Sequence, residues 1–435
     1  MIGLRREDKS DWETRVPLVP DDVRMLHEEH GIEFAVEESP IRVFTDAEYA
    51  ATGARLAPDL RDCSIILGVK EVPPDKLEPG KAYLYFSHTI KGQPANMPAL
   101  RRLLELGCTL IDYERIVDDR GRRLVFFGRF AGLAGMIDTL WALGQRLKHE
   151  GLETPFSLVK PAHRYQDLGQ FEREFRAVAE AIRAGGLPDS LRPFVCGFAG
   201  YGQVSQGAQQ IFDQLPVEQL TPEQLLKAPS SARNATSATT CYKVVFREEH
   251  LVRRKDASSP FALQEYYDHP ERYAAAFFPF VEHLNVLVNG IYWEPKYPRL
   301  MTREQLHELY SGKPPRLRVV GDISCDIDGS LACTTRATDP GNPVYVYNPR
   351  SGETRDGIAG NGPVVLAVDM LPCELPVDAS RYFSRSLRPF VPGLAHADLS
   401  GSFENSNLPP ELRRATIVFR GALTEPYTHL AEHLR

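Results

Sequence analysis

The chain has 435 residues, 43% hydrophobic and 25% charged, which is ordinary for a globular protein and enough for two or three domains with real cores. A formal net charge of -7 argues against a nucleic-acid partner, because phosphate backbones call for a basic surface. No run of 18 or more apolar residues occurs, so no membrane span is expected.

In chain order, short apolar runs alternate with amphipathic helical stretches, the pattern of an α/β architecture. Met1–Leu4 reads as a strand, and Pro20-Asp21-Asp22 opens a helix that Gly31 ends. Ile32–Val36 alternates like a half-buried strand, whereas Ser64–Val69 is continuously apolar, as a strand covered on both faces is. Ala82–Phe86 and Cys108–Ile111 are further strands, with a helix over Pro94–Leu106 between them, completing one doubly wound unit. A long helix is predicted from Ala131 to His149. Its small-residue start, Ala131-Gly132-Leu133-Ala134-Gly135, suits close packing on a neighbouring backbone, and the helix is expected to cross between domains. A second unit follows, with a helix over Phe171–Ala184, a strand over Arg192–Phe198, a glycine-rich turn and a helix through Gln214. Strands are then predicted at Val217–Leu220, Tyr242–Phe246, Val286–Trp293 and Arg316–Ser324, a helix at His269–Leu284, and a loop at Pro229–Thr240. From Cys333 onward a strand pair and C-terminal helices are expected.

Seven cysteines are scattered without a C-x-x-C pair, which points away from disulfides and zinc; no metal is expected. The opening Met1–Glu7 passes straight into charges without the apolar core of a signal peptide, so a cytoplasmic location is expected.

The strongest local motif is Gly197-Phe198-Ala199-Gly200-Tyr201-Gly202-Gln203-Val204-Ser205, a strand entering a glycine pair and then a helix. Gly200 permits the tight turn, and Gly202, lacking Cβ, lets a pyrophosphate approach the backbone. The first N–H groups of the helix, around Gln203 and Val204, then carry the anion. Ser205 stands where a third glycine is usual. The following strand is expected to end at the adenosine ribose, at Leu220-Thr221-Pro222; with no carboxylate there, and Arg233 in the next loop, NADP(H) is favoured over NAD(H).

Open parallel sheets bind ligands beyond the carboxyl ends of their strands. Four predicted strands of the first unit deliver chemistry there: Arg5-Arg6-Glu7, Lys70-Glu71, Ser87-His88 and Asp112-Tyr113-Glu114. A lysine, an imidazole and a carboxylate on neighbouring strand ends make a proton-transfer cluster of Lys70, His88 and Glu114.

These residues carry a resemblance. Leu4-Arg5-Arg6-Glu7 with Trp12-Glu13-Thr14-Arg15-Val16-Pro17 is similar to the start of alanine dehydrogenases, transhydrogenase subunits and saccharopine dehydrogenases. Gly68-Val69-Lys70-Glu71, Phe86-Ser87-His88-Thr89-Ile90-Lys91, Asp112-Tyr113-Glu114, Phe127-Gly128-Arg129-Phe130 and Asn289-Gly290-Ile291-Tyr292-Trp293-Glu294 resemble the lysine–ketoglutarate reductase, or saccharopine dehydrogenase, branch. The resemblance implies two Rossmann-like doubly wound domains flanking a cleft. The first is discontinuous, a substrate domain over 1–135 and 333–435, and the dinucleotide-binding domain spans 136–332. It implies condensation of lysine with 2-oxoglutarate and reduction of the imine by NAD(P)H to saccharopine, or the reverse. By resemblance, Lys70 and His88 are the acid–base pair, Glu114 and Glu71 tune Lys70, and Arg15, Arg123 and Lys91 hold substrate carboxylates. Asn289, Tyr292 and Asp322 are expected to border the nicotinamide half of the coenzyme. Two alternatives stand beside this reading: an alanine dehydrogenase-like enzyme, and a catalytically silent nucleotide-binding regulatory protein. A homo-oligomer is left open.

Overall fold

A computed structural model of the chain describes residues 1–227, 237–256 and 259–434. The chain forms two compact units, Met1–Phe127 with Pro376–Arg435, and Gly128–Leu375. Along the chain, the first unit contributes β1 (Ile2–Leu4), α1 (Pro20–His30), β2 (Phe34–Glu37), α2 (Asp46–Ala50), β3 (Arg55–Ala57), β4 (Ile65–Leu67), β5 (Ala82–Tyr85), α3 (Met97–Glu105) and β6 (Thr109–Asp112). The second contributes α4 (Gly128–His149), α5 (Leu168–Gly185), β7 (Phe194–Ala199), α6 (Gln203–Phe212), β8 (Val217–Leu220), α7 (Pro222–Lys227), β9 (Cys241–Phe246), α8 (Glu248–Leu251), β10 (Val252–Arg254), β11 (Tyr273–Ala275), β12 (Val286–Asn289), β13 (Val319–Asp322), β14 (Val344–Tyr347), β15 (Thr354–Asp356) and β16 (Val364–Leu366). The chain then returns to the first unit with a helix over Pro376–Leu387 and the strands β17 (Thr416–Phe419) and β18 (Ala422–Leu423).

Each unit is built on an eight-stranded sheet. In the first the order is β18-β17-β6-β5-β4-β1-β2-β3, parallel from β6 to β3. The chain starts in the middle and reverses direction between β1 and β4, the topological switch point at which such sheets bind ligands. β1, β4, β5 and β6 are buried throughout, so their side chains pack on both faces and only the strand ends are left to carry polar chemistry.

In the second the order is β15-β14-β16-β13-β12-β7-β9-β8, and its switch point lies between β7 and β12. β8 follows β7 in sequence but is not its neighbour: β9 pairs with β7 over six residues, and β8 is pushed out beyond it. Val217–Leu220, expected to end at an adenosine ribose, is thus separated from the glycine-turn strand by β9.

Two further expectations change. Residues 333–375 do not return to the first unit. β14 runs antiparallel to β16, and β16 pairs with β13, so ladder hydrogen bonds hold this stretch in the second sheet. His269–Leu284 is not one helix, and only Phe278–Val281 within it is α-helical. Pro270 and Pro279 interrupt it, and Tyr273–Ala275 instead pairs antiparallel with Val252–Arg254 as a separate ribbon.

The long helix α4 lies wholly in the second unit, starting at its first residue, and packs against α6, β13 and β16. Its small residues have a specific use. A Cβ on Gly132 would overlap the Val204 carbonyl oxygen on α6, and one on Gly207 of α6 would overlap the Arg129 carbonyl oxygen on α4. Each glycine thus seats the other helix's backbone. Gly132→Ala is expected to destabilise the second unit by about 1–3 kcal/mol through overpacking; a denaturant midpoint equal to the parent's would refute the close seat.

Candidate functional site

In the first unit, sheet order puts the ends of β1, β4, β5 and β6 side by side, and with them Glu7, Lys70, His88 and Glu114. The backbone runs on in register past the strands, with Phe86 N–H donating to the Val69 carbonyl at 3.1 Å, so the β4 and β5 tips stay together. His88 Nδ1 lies 2.7 Å from Glu71 Oε1, and Lys9 Nζ donates to Glu71 Oε2 at 2.8 Å. Burial opposes ionisation of Glu71, but the hydrogen bonds from His88 and Lys9 prevail and bring its carboxyl down to about 2. An ionised acceptor at Nδ1 fixes the Nδ1–H tautomer and leaves Nε2 of His88 for proton transfer. His88 has a positive φ of 50°, a conformation that non-glycine residues rarely adopt. Asn96 Nδ2 holds its carbonyl at 2.9 Å, and the ring stacks on Phe86. The Lys70 ammonium makes no ion pair among the described residues.

Two buried carboxyls, read from the sequence only as strand-end residues, brace these tips. Glu7 accepts from the backbone N–H of Val69 at 2.7 Å and of Lys70 at 3.0 Å, so the β1 tip holds the β4 tip. Burial, opposed by Arg5, raises Glu7 to about 7. Asp112 is fully buried; it accepts from Ser87 N–H at 3.3 Å, from the Ser87 hydroxyl, and from Glu114 N–H at 2.8 Å. Burial raises it to about 6. One carboxyl thus fixes the backbone on which both His88 and Glu114 stand. Beneath lies an aromatic floor of Phe86, Tyr113, Phe127 and Phe383, the last supplied by the returning Pro376–Leu387 helix.

The expected substrate arginines differ. Arg123 is exposed and lies 3.3 Å from Glu114. Arg15 is buried, holds Glu13 through two hydrogen bonds of 2.7 and 2.6 Å, and sits 4.2 Å over the Phe127 ring. Lys91 is exposed.

In the second unit, Gly200 has a φ of 97°, the left-handed region that glycine alone enters at little cost. A Cβ on Gly202 would meet nothing within 4 Å, so the backbone there opens onto space. Gly202 caps α6 without a side-chain hydrogen bond, leaving the N–H groups of the helix start, at Gln203 and Val204, unclaimed by a cap. Gly200, Tyr201 and Gly202 line a cavity of about 450 Å³ with Glu248, Tyr267, Gly290 and Tyr292. An open cradle at an uncapped helix start, at a switch point, fits a dinucleotide pyrophosphate. Gly202→Val is expected to leave the fold intact, since the new side chain enters open space, and to weaken coenzyme binding at least tenfold, about 1.4 kcal/mol. Unchanged coenzyme affinity by fluorescence titration would remove the turn from the site.

Other expected coenzyme residues sit elsewhere. Thr221 follows the edge strand β8, two strands from β7. Arg233 lies outside the described residues. Asn289 and Asp322 are buried and do not line the cavity; Asn289 Nδ2 donates to Asp322 Oδ1 at 2.8 Å and to Ser330 Oγ at 3.0 Å, tying the ends of β12 and β13 together. Glu248 was missed, although an apolar strand running into Arg247-Glu248-Glu249 was a readable signal.

The second unit also buries a carboxyl pair, Asp138 on α4 and Glu374, beside His163. Burial and then Glu374 push Asp138 well above the carboxylate range, and burial raises Glu374 to about 7. Glu374 ionises near 4.5 in the unfolded chain, so its contribution to stability is complete below pH 4.5 and is lost as pH rises to about 7. Glu374→Gln should flatten that part of the pH–stability curve; an unaltered slope between pH 4.5 and 7 would show that the carboxyl does not titrate as described.

Residues 3–134 match the alanine dehydrogenase/PNT N-terminal domain family. The alpha-aminoadipic semialdehyde synthase of Bos taurus, a mitochondrial protein by its name, is 36% identical over 99% of this chain. The chain is homologous to that synthase. It spans 47% of the synthase's length. The saccharopine dehydrogenase [NAD(+), L-lysine-forming] of Emericella nidulans is 28% identical over 89% of this chain and 90% of its own length. Among solved structures, an L-alanine dehydrogenase superposes over 100% of this chain and 99% of its own, with a TM-score of 0.61 at 18% identity, which establishes the Rossmann-like fold of the synthase homologue. Among the described residues no helix is long and apolar enough to cross a membrane.

Proposed function

We propose that the chain joins the ε-amine of lysine to the keto carbon of 2-oxoglutarate and reduces the imine to saccharopine with NAD(P)H, or runs the reverse reaction. The observation that carries this reading is the set of Lys70, the Glu71–His88 pair and Glu114 on consecutive strand ends, in a homologue of the synthase and of saccharopine dehydrogenases. Amine deprotonation and loss of water from the carbinolamine both need a group that takes and returns a proton. His88 Nε2 and the Lys70 amine fill those roles, with Glu114 tuning Lys70. Arg123, Lys91 and Arg15 are assigned to the substrate carboxylates.

Gly200, Tyr201, Gly202, Gln203 and Val204 would hold the coenzyme pyrophosphate, and Tyr292 would wall its cavity. When bound, the reduced coenzyme supplies the hydride, and the protein's part is orientation. The expected preference for NADP(H) rested on the lack of a carboxylate at Leu220-Thr221-Pro222 and on Arg233; β8 stands at the sheet edge, and Arg233 lies outside the described residues. The seven cysteines, none in a disulfide, accord with a reducing compartment such as the cytoplasm.

A coenzyme-oxidation screen tests the reading. Lysine with 2-oxoglutarate is expected to support turnover, with saccharopine as product. Turnover on pyruvate with ammonia instead would make the chain an alanine dehydrogenase-like enzyme. Coenzyme binding without turnover on any amine and keto-acid pair would make it a regulatory protein.

A further inference from the structure

We propose that Glu248 is the residue by which this chain selects its coenzyme, and that it selects NAD(H) against NADP(H). The inference rests on the proposed reading of the Gly200 turn as a dinucleotide site. It comes from strand order, which the sequence conceals.

In a sheet of this kind, the strand hydrogen-bonded to the glycine-turn strand on the side away from the switch point delivers its end to the adenosine ribose. That strand is β9: it pairs with β7 from Phe194↔Cys241 to Ala199↔Phe246, and Gly200 N–H donates to the Phe246 carbonyl at 3.0 Å. The chain leaving β9 therefore departs beside the glycine turn, and its second residue is Glu248. Glu248 lines the same cavity as Gly200, Tyr201 and Gly202.

The carboxylate is held in place. Tyr267 Oη donates to Glu248 Oε1 at 2.9 Å, and Tyr201 Oη approaches the same oxygen at 3.5 Å. Both tyrosines use Oε1; Oε2 has no hydrogen bond among the described residues. An acceptor oxygen at this place binds a ribose 2′-hydroxyl, whereas a 2′-phosphate would bring a second anion against a fixed carboxylate. The one cation next to it in sequence, Arg247, does not line the cavity; its guanidinium lies 4.9 Å over the Tyr201 ring. The carboxylate, not the guanidinium, faces the bound sugar.

The experiment titrates the full chain with NADH and NADPH separately, followed by fluorescence and without amine or keto acid. Wild type is expected to bind NADH at least tenfold more tightly than NADPH. Glu248→Gln, which keeps shape and removes charge, should bring the two affinities within about threefold, mostly by tightening NADPH. Glu248→Ser should act in the same direction, which guards against a packing defect peculiar to one variant. Tighter NADPH binding by wild type, or an unchanged ratio in both variants, overturns the proposal while leaving the glycine turn as a coenzyme site. Failure of wild type to bind either coenzyme overturns the reading of the turn, and this proposal with it.

Discussion

Lys70→Met is expected to lower kcat by about 10²–10⁴-fold, the range for removing a general acid–base group, while coenzyme affinity holds. Methionine keeps the length and apolar stem of lysine, and the Lys70 ammonium makes no ion pair among the described residues, so little structure depends on its charge. What pins this tip is backbone: Glu7 accepts from the N–H of Lys70, and that bond survives the substitution. Stability and coenzyme binding, the latter assigned to the separate second unit, therefore serve as internal controls. Turnover within about threefold of wild type would exclude Lys70 from proton transfer.

Asp112→Ala is expected to cost about 10²-fold in turnover without removing any group that touches substrate. The loss would come from displacement, since an error of about 1 Å in a reacting group is enough for that factor. Asp112 accepts from two backbone N–H groups, one beside His88 and one of Glu114 itself, and from the Ser87 hydroxyl; the Ser87 bonds are buried and the Glu114 bond is half-buried. Alanine leaves the buried Ser87 N–H without its acceptor, at about 1–3 kcal/mol, and releases the half-buried Glu114 N–H, so the β5 and β6 tips shift to find new partners. Asp112→Asn keeps one acceptor oxygen and should recover part of the rate. The readout that separates positioning from general destabilisation is KM against kcat at a temperature where the variant is fully folded. A stable Asp112→Ala protein with wild-type kcat would show that the tips hold their geometry unaided.

Much of the candidate site was legible because its chemistry is local. Lys70, His88 and Glu114 each follow a short, continuously apolar strand, and a polar residue at the end of a buried strand is visible without knowing which strands are neighbours. The glycine turn was legible for a similar reason: the positive φ of Gly200 and the open space at Gly202 are requirements of one turn. The capping boxes at Thr45 with Glu48 and at Thr302 with Gln305 were equally readable, yet the helices they open went unpredicted. Asp112 and Glu7 were read as strand-end residues but not as braces, because their partners lie 25 and about 60 positions away. The aromatic floor was invisible, since Phe383 arrives from the returning segment.

By itself the sequence determined the α/β class, the position of most strands, the glycine turn and the polar residues that end the first unit's strands, because hydrophobic period, glycine placement and strand length are properties of neighbouring residues. Only the tertiary structure decided that β9 rather than β8 flanks the glycine turn, that residues 333–375 stay in the second unit, and that Glu248 rather than Thr221 lines the cavity at that turn. The reason is that parallel strands are joined by ladders between distant segments, and several orders of the same strands satisfy the same local pattern; side-chain packing against the whole sheet selects one.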